Sequence, residues 1–156
     1  MPEFLDLHGR TTKAIRSAAD DALRRHGLRL GQDHLLAALW EQDGRTPGEI
    51  AAATNVTTPA VTKASARMVE AGLISRRRDE RDNRLVRLYL TDAGRALRAP
   101  VEAERRRLEE KITESLTADE REHLMSALAK IHRSAVELLA AQPPQPAAAP
   151  DRRTTG

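Results

Sequence analysis

The 156 residues include no cysteine. Disulfides, thiolate-ligated zinc and thiol-based redox sensing are therefore excluded. Aromatic residues are nearly as scarce, with only Phe4, Trp40 and Tyr89. A core must then be built from Leu, Ile, Val and Ala, which favours helix packing over a sheet sandwich. No run approaches the roughly 20 apolar residues of a membrane span, and the first residues lack the basic-then-apolar pattern of a secretion signal. The expectation is a cytoplasmic protein without a membrane partner. Catalytic signatures are also missing: there is no Gly-rich phosphate loop, and the serines lie in no nucleophile-elbow context, so an enzyme is not expected. The five histidines (His8, His26, His34, His123 and His132) include no i, i+4 pair that would set two ligands on one helix face, so no metal or other cofactor is expected.

Charge is balanced over the whole chain and unbalanced in one place. Lysine and arginine number 26 and the acids 23, a net charge of +3. Between Arg76 and Arg87 six arginines (76, 77, 78, 81, 84 and 87) face three acids (79, 80 and 82), so this stretch alone carries the same excess. Leu73-Ile74-Ser75-Arg76 begins a strand and Leu85 to Leu90 alternates as its half-buried return, with the turn at Asp79 to Arg84. A two-stranded ribbon with arginines at its tip is shaped to follow a duplex backbone and to push a guanidinium into a narrow minor groove.

Just upstream lie two short helices. Thr46-Pro47-Gly48-Glu49 is a capping box with an early proline, and predicts a helix over Pro47 to Ala53. Thr54-Asn55-Val56 breaks it, since asparagine tolerates the left-handed backbone of a tight turn, and Thr57-Thr58-Pro59 starts a second helix from Pro59 to Ala71. Its apolar side is Val61, Ala64, Met68 and Ala71, which leaves Thr62, Lys63 and Arg67 outward. The spacing is that of a helix-turn-helix. Thr57, Thr58, Pro59, Thr62, Lys63 and Arg67 on the second helix, with Arg76, Arg77, Arg78, Asp82 and Arg84 of the hairpin, are the candidate DNA-binding residues. Asp82 is expected to pair with a hairpin arginine, Arg76 in particular, and so to hold Arg84 aimed.

Before this unit, Phe4 to His26 reads as a helix with a weakly apolar face, and Gln32 to Gln42 as a second, with Leu35, Leu36, Leu39 and Trp40 inward. After it, a long helix from Asp92 towards Leu116 contains Pro100, which predicts a kink near Ala96 to Pro100 or a late start. A second capping box, Thr117 to Glu120, opens a last helix to about Ala141, in which Leu124, Leu128, Ile131, Ala135 and Leu138 form a seam that needs a partner. Residues 142–156, rich in Pro and Ala, are expected to be disordered.

Gly72-Leu73-Ile74 with Arg76, Asp82-Asn83-Arg84, Leu88-Tyr89-Leu90-Thr91 and Gly94 resemble the winged helix-turn-helix signature of the MarR family of bacterial transcription regulators, over roughly residues 28 to 95. Asn83 stands where many relatives carry a second arginine. The resemblance implies a mainly α fold with a small two- to three-stranded antiparallel sheet and a helical dimerisation layer. Residues 1–141 would be one domain, with a DNA-binding lobe at about 31–95 and dimerisation helices at about 3–26 and 96–141. It also implies a homodimeric repressor of a pseudo-palindromic operator in double-stranded DNA, released by a small anionic or aromatic effector in a pocket near His8, Thr11, His34 and Trp40. The alternatives are a constitutive DNA binder without ligand sensing and a helical protein-interaction module.

Overall fold

A computed structural model describes residues 3–141. The reading of 142–156 as disordered lies outside the described residues. In order the elements are α1 (Phe4–Arg24), α2 (Gln32–Glu41), α3 (Pro47–Thr54), α4 (Thr58–Glu70), β1 (Ile74–Arg78), β2 (Val86–Leu90), α5 (Asp92–Ala96), α6 (Arg98–Thr113) and α7 (Ala118–Ala140). They fall into two compact units, one through Ile112 and one from Thr113.

Within the first unit, α2, α3, α4 and the β1–β2 hairpin close over one aliphatic core. Leu28, Leu36, Ile50, Met68 and Leu88 are wholly buried in it, and Val101 of α6 joins them. Aromatic residues contribute only Trp40, half-buried at its edge. The strands pair antiparallel with Ile74 opposite Leu90 and Arg78 opposite Val86, and an isolated bridge from Arg45 to Leu88 adds one more rung.

Local chemistry sets the boundaries. Thr46 and Glu49 form the reciprocal capping box, and Asn55 ends α3 in the left-handed region at φ 54°. The second helix begins one residue earlier than expected, because Thr57 is its cap and accepts a bond from the amide of Ala60. Its buried side also differs from expectation. Ala71 is exposed beyond the last turn, and Ser65 is wholly buried, its hydroxyl satisfied by the carbonyl of Thr62 at 2.9 Å. Leu73 lies before β1 and Leu85, exposed, before β2.

Pro100 acts as expected: α5 stops at Ala96 and α6 starts at Arg98, since a proline can occupy the first turn of a helix but not its interior. That helix ends at Thr113, three residues short of the expected Leu116.

The Thr91 to Gly94 corner ties the hairpin back to the helices. The Thr91 hydroxyl donates to the carbonyl of Gly72 at 2.6 Å and accepts from the amide of Gly94 at 3.2 Å. Trp40 Nε1 donates to the Gly94 carbonyl at 3.0 Å. A β-carbon on Gly94 would lie 2.1 Å from the backbone oxygen of Leu73, so only glycine fits here.

In the second unit α7 opens on the capping box of Thr117 and Glu120, and none of its 23 residues is buried. Leu124, Leu128, Ile131 and Leu138 of the seam are all exposed, and so are Met125, Val136 and Leu139 beside them.

Candidate nucleic-acid interface

The two parts of the candidate interface are α4 and the hairpin. With Val61, Ser65 and Met68 buried, α4 turns outward two ridges at i, i+4 spacing: Thr58, Thr62 and Ala66, and beside them Pro59, Lys63 and Arg67. All six are exposed. Thr57 sits at the helix start, where its hydroxyl is occupied by capping. Thr62 Oγ1 donates to its own helix, to the carbonyl of Thr58 at 3.0 Å.

The hairpin divides its arginines between two faces. Successive strand residues point to opposite sides, so Arg76 and Arg78 lie on the side of Ile74 and Leu88, and Arg77 on the side of Tyr89. The Arg77 guanidinium stands 5.0 Å from the centroid of the Tyr89 ring, within the range of a cation–π contact. The three consecutive arginines thus do not form one surface.

At the tip, Asp82 pairs with Arg84 rather than with Arg76. Its Oδ1 accepts from the amide and Nε of Arg84, at 3.1 and 3.0 Å, and its Oδ2 from an Nη at 3.2 Å. Only Asn83 separates them, so the turn itself brings the fork and the carboxylate together, whereas Arg76 lies back along β1. These bonds hold the Asp82 carboxyl below the usual carboxylate range. The Arg84 side chain remains 90% exposed.

Arg87 has a different role from the other arginines. Its Nε donates to Asp79, and its Nη1 donates to the carbonyl of Gly44 at 2.9 Å and faces Glu49 of α3 at 3.4 Å. Asp79 also accepts from the amides of Arg81 and Asp82 at 2.8 and 2.9 Å. The Arg87 bond, followed by these two amides, lowers the Asp79 pKa to about 2. Asp43 adds a second fastening: its carboxylate accepts from the amide of Leu90 at 2.8 Å and from Arg95 at 3.2 Å. Arg87, Asp79 and Asp43 therefore fix the hairpin to the helices that carry α4. A counted charge run does not show this, and strand alternation places Arg87 on the same face as Arg77 without setting it apart.

The four residues expected at an effector pocket stand apart in bonding. Among the described residues no hydrogen bond or ring contact joins any two of them. His8 lies against Phe4, ring centroids 5.6 Å apart, on the exposed part of α1; Thr11 is exposed one turn on. His34 Nε2 is 4.0 Å from Asp33, and the indole of Trp40 is bonded to Gly94.

Comparison with known proteins gives this geometry a context. The MarR family model matches residues 28–86. The chain is similar to the uncharacterized HTH-type transcriptional regulator YdgJ of Bacillus subtilis (strain 168), with 28% identity over 108 residues, 69% of this chain and 66% of that protein. It is 32% identical over 89 residues to the HTH-type transcriptional regulator TtmR of Methylorubrum extorquens (strain PA1), 57% of this chain and 46% of the relative. The match thus spans about two thirds of one relative's length and under half of the other's. Among solved structures it is similar to a MepR–DNA complex of S. aureus, with a TM-score of 0.79 and 26% identity over 86% of this chain and 99% of that one. A MarR protein from Peptoclostridium difficile shares the fold at a TM-score of 0.79 and 22% identity, over 90% and 93% of the two chains.

Proposed function

We propose that the chain is a transcription regulator of the MarR family, whose model it matches over residues 28–86, and that it works as a homodimer that grips a pseudo-palindromic duplex operator and represses from it. The observation that carries this reading is the pairing, in one compact unit, of a wholly exposed ridge bearing Lys63 and Arg67 with an anchored hairpin whose tip is Arg84. The helix α4 would enter the major groove through Thr58, Thr62 and Lys63. Arg84 would enter the flanking minor groove, where a narrow A·T-rich groove concentrates negative potential. Thr57, Arg67 and, from the two faces of the hairpin, Arg76, Arg77 and Arg78 would position both on the phosphates, with Pro59 in apolar contact at the helix start. The DNA complex of the similar MepR protein supports this use of the fold.

The second copy is proposed from surplus apolar surface. Phe4, Leu7 and Ile15 of α1 are exposed, as are Leu124, Leu128, Ile131 and Leu138 of α7. Apolar residues left exposed along one face of a helix, as on α7, are normally covered by a partner. A self-complementary twofold contact would set two α4 helices about 34 Å apart, one turn of duplex. Release by a small anionic or aromatic compound bound near His8, Thr11, His34 and Trp40 completes the proposal; it is carried over from the family resemblance, and the His8, Thr11 and His34 side chains are exposed.

Selection of bound sequences from random duplexes tests the reading. A symmetric consensus with half-site centres about 10 base pairs apart is expected. Bound pools without a consensus, or with a single asymmetric site, would contradict it.

A further inference from the structure

We infer that α4 selects part of its half-site through thymine methyl groups, with Thr62 as a specificity-determining residue beside Lys63. The inference rests on the duplex-binding reading above and says which base feature that site takes. Of the two outward ridges, Lys63 and Arg67 carry the charge of one. The other, Thr58, Thr62 and Ala66, carries no charge. The hydroxyl of Thr62 already donates to the carbonyl of Thr58, 3.0 Å away in the preceding turn, which leaves the Cγ2 methyl as the part of the side chain not tied to the backbone. One turn on, Ala66 offers only its Cβ, and the nearby hydroxyl of Ser65 is buried and donates to Thr62. No Asn or Gln occurs in α4 to make a two-bond contact with adenine.

The methyls of Thr62 and Ala66 in the major groove discriminate by apolar contact, and the thymine 5-methyl is the apolar feature the bases display there. Cytosine in the same place would leave these methyls against an unmatched edge. The Arg67 guanidinium of the neighbouring ridge then supplies attraction, and Lys63 reads a core position of its own, so the methyl contact is scored at a separate base pair.

The test uses the full chain and the duplex it selects from a random pool. Each half-site thymine is replaced in turn by deoxyuridine, which deletes the 5-methyl and changes no hydrogen-bonding group. At the position facing Thr62, affinity should fall about fourfold per half-site, the value of one methyl-sized group returned to water. Thr62→Ser should bind the thymine and deoxyuridine duplexes alike, and Thr62→Val should keep the discrimination. Thr62 is exposed, so neither change disturbs the core, and circular dichroism confirms that both variants are folded. The inference is overturned by a consensus whose half-site core lacks thymine, by deoxyuridine without effect at every position, or by a Ser variant that keeps the discrimination while the Val variant loses it. No binding to any duplex at low salt would overturn the duplex-binding reading itself, and this inference with it, so the two failures are distinct. Deoxyuridine leaves the minor groove unchanged, so contacts by Arg84 do not enter the comparison.

Discussion

Arg87 and Asp79, eight residues apart on opposite sides of the hairpin turn, are joined side chain to side chain, and the same guanidinium reaches the carbonyl of Gly44 at 2.9 Å. Through Gly44 and Glu49 the guanidinium fastens the wing to the helices packed against α4, a tie that a hairpin held only by its own two strands would lack. Asp79 is depressed to about 2 by this contact, against about 3.9 for a free aspartate. A depressed folded value means the contribution is complete above about pH 4 and is lost as the pH falls through about 2. The Arg87 Nε–H resonance in NMR should therefore hold its bonded position at pH 4 and move with a midpoint near 2. A midpoint near 4 would show that the pair does not form in solution.

At the opposite corner of the hairpin, Gly94→Ala would drive a β-carbon to 2.1 Å from the Leu73 backbone oxygen, where no flexible side chain can yield. A loss of about 3 kcal/mol in urea unfolding is expected, the upper part of the usual overpacking range. Gly9, inside α1 with nothing within 4 Å of an added carbon, is the control. There alanine should stabilise by about 0.5–1 kcal/mol, from helix propensity alone. Equal effects at the two glycines would mean that the close approach at Gly94 is absent.

These two corners differ in how far they could be read from sequence. The Leu-Thr-x-x-Gly stretch declares itself, because Thr91 is a cap and Gly94 sits at the capped amide. Pro100 likewise announces the break between α5 and α6. Arg87 does not stand out: within a run of six arginines it reads as one more surface cation, and only its contact with Gly44, 43 residues away, reveals an anchor. The partner of Asp82 was open for the opposite reason, since Arg76 and Arg84 are both within a hairpin's reach and the tight turn decides for Arg84. Ala71 reads as part of the apolar side only if α4 continues through it; the helix ends one residue earlier, at Glu70, and Ala71 is its exposed cap. On α7 the seam was legible from spacing, but Met125, Val136 and Leu139, off that spacing, broaden the exposed apolar surface beyond a narrow stripe.

That surface gives the third prediction. Leu128 and Ile131 are 40% and 38% exposed in the single chain. Replacing both with Asp would place two carboxylates in a contact proposed to be dry, at a cost of several kcal/mol. Sedimentation velocity should then find monomers where the wild type is dimeric. A dimer that survives the double change would place the partner contact elsewhere.

Asp82→Asn separates charge from aim. Removing a negative charge beside the duplex should raise non-specific affinity and steepen its salt dependence. If the two-atom grip on Arg84 aims the guanidinium, the same variant should lose preference for A·T-rich flanks. Titration of matched duplexes with A·T-rich and G·C-rich flanks reads both effects at once. A variant that binds more tightly with its flank preference intact would reduce Asp82 to a turn former.

The claim that helix and wing read a duplex in two different ways is tested most directly by the affinity of Arg84→Ala and Lys63→Ala on one set of duplexes. The set varies flank composition at constant core and one core position at constant flank, with losses on non-specific duplex subtracted. Arg84→Ala is expected to cost about 1–3 kcal/mol on A·T-rich flanks and much less on G·C-rich ones. Lys63→Ala should be indifferent to the flanks and relax preference at one core position per half-site. Equal losses on every sequence for both variants would contradict the account and leave the two residues as electrostatic anchors.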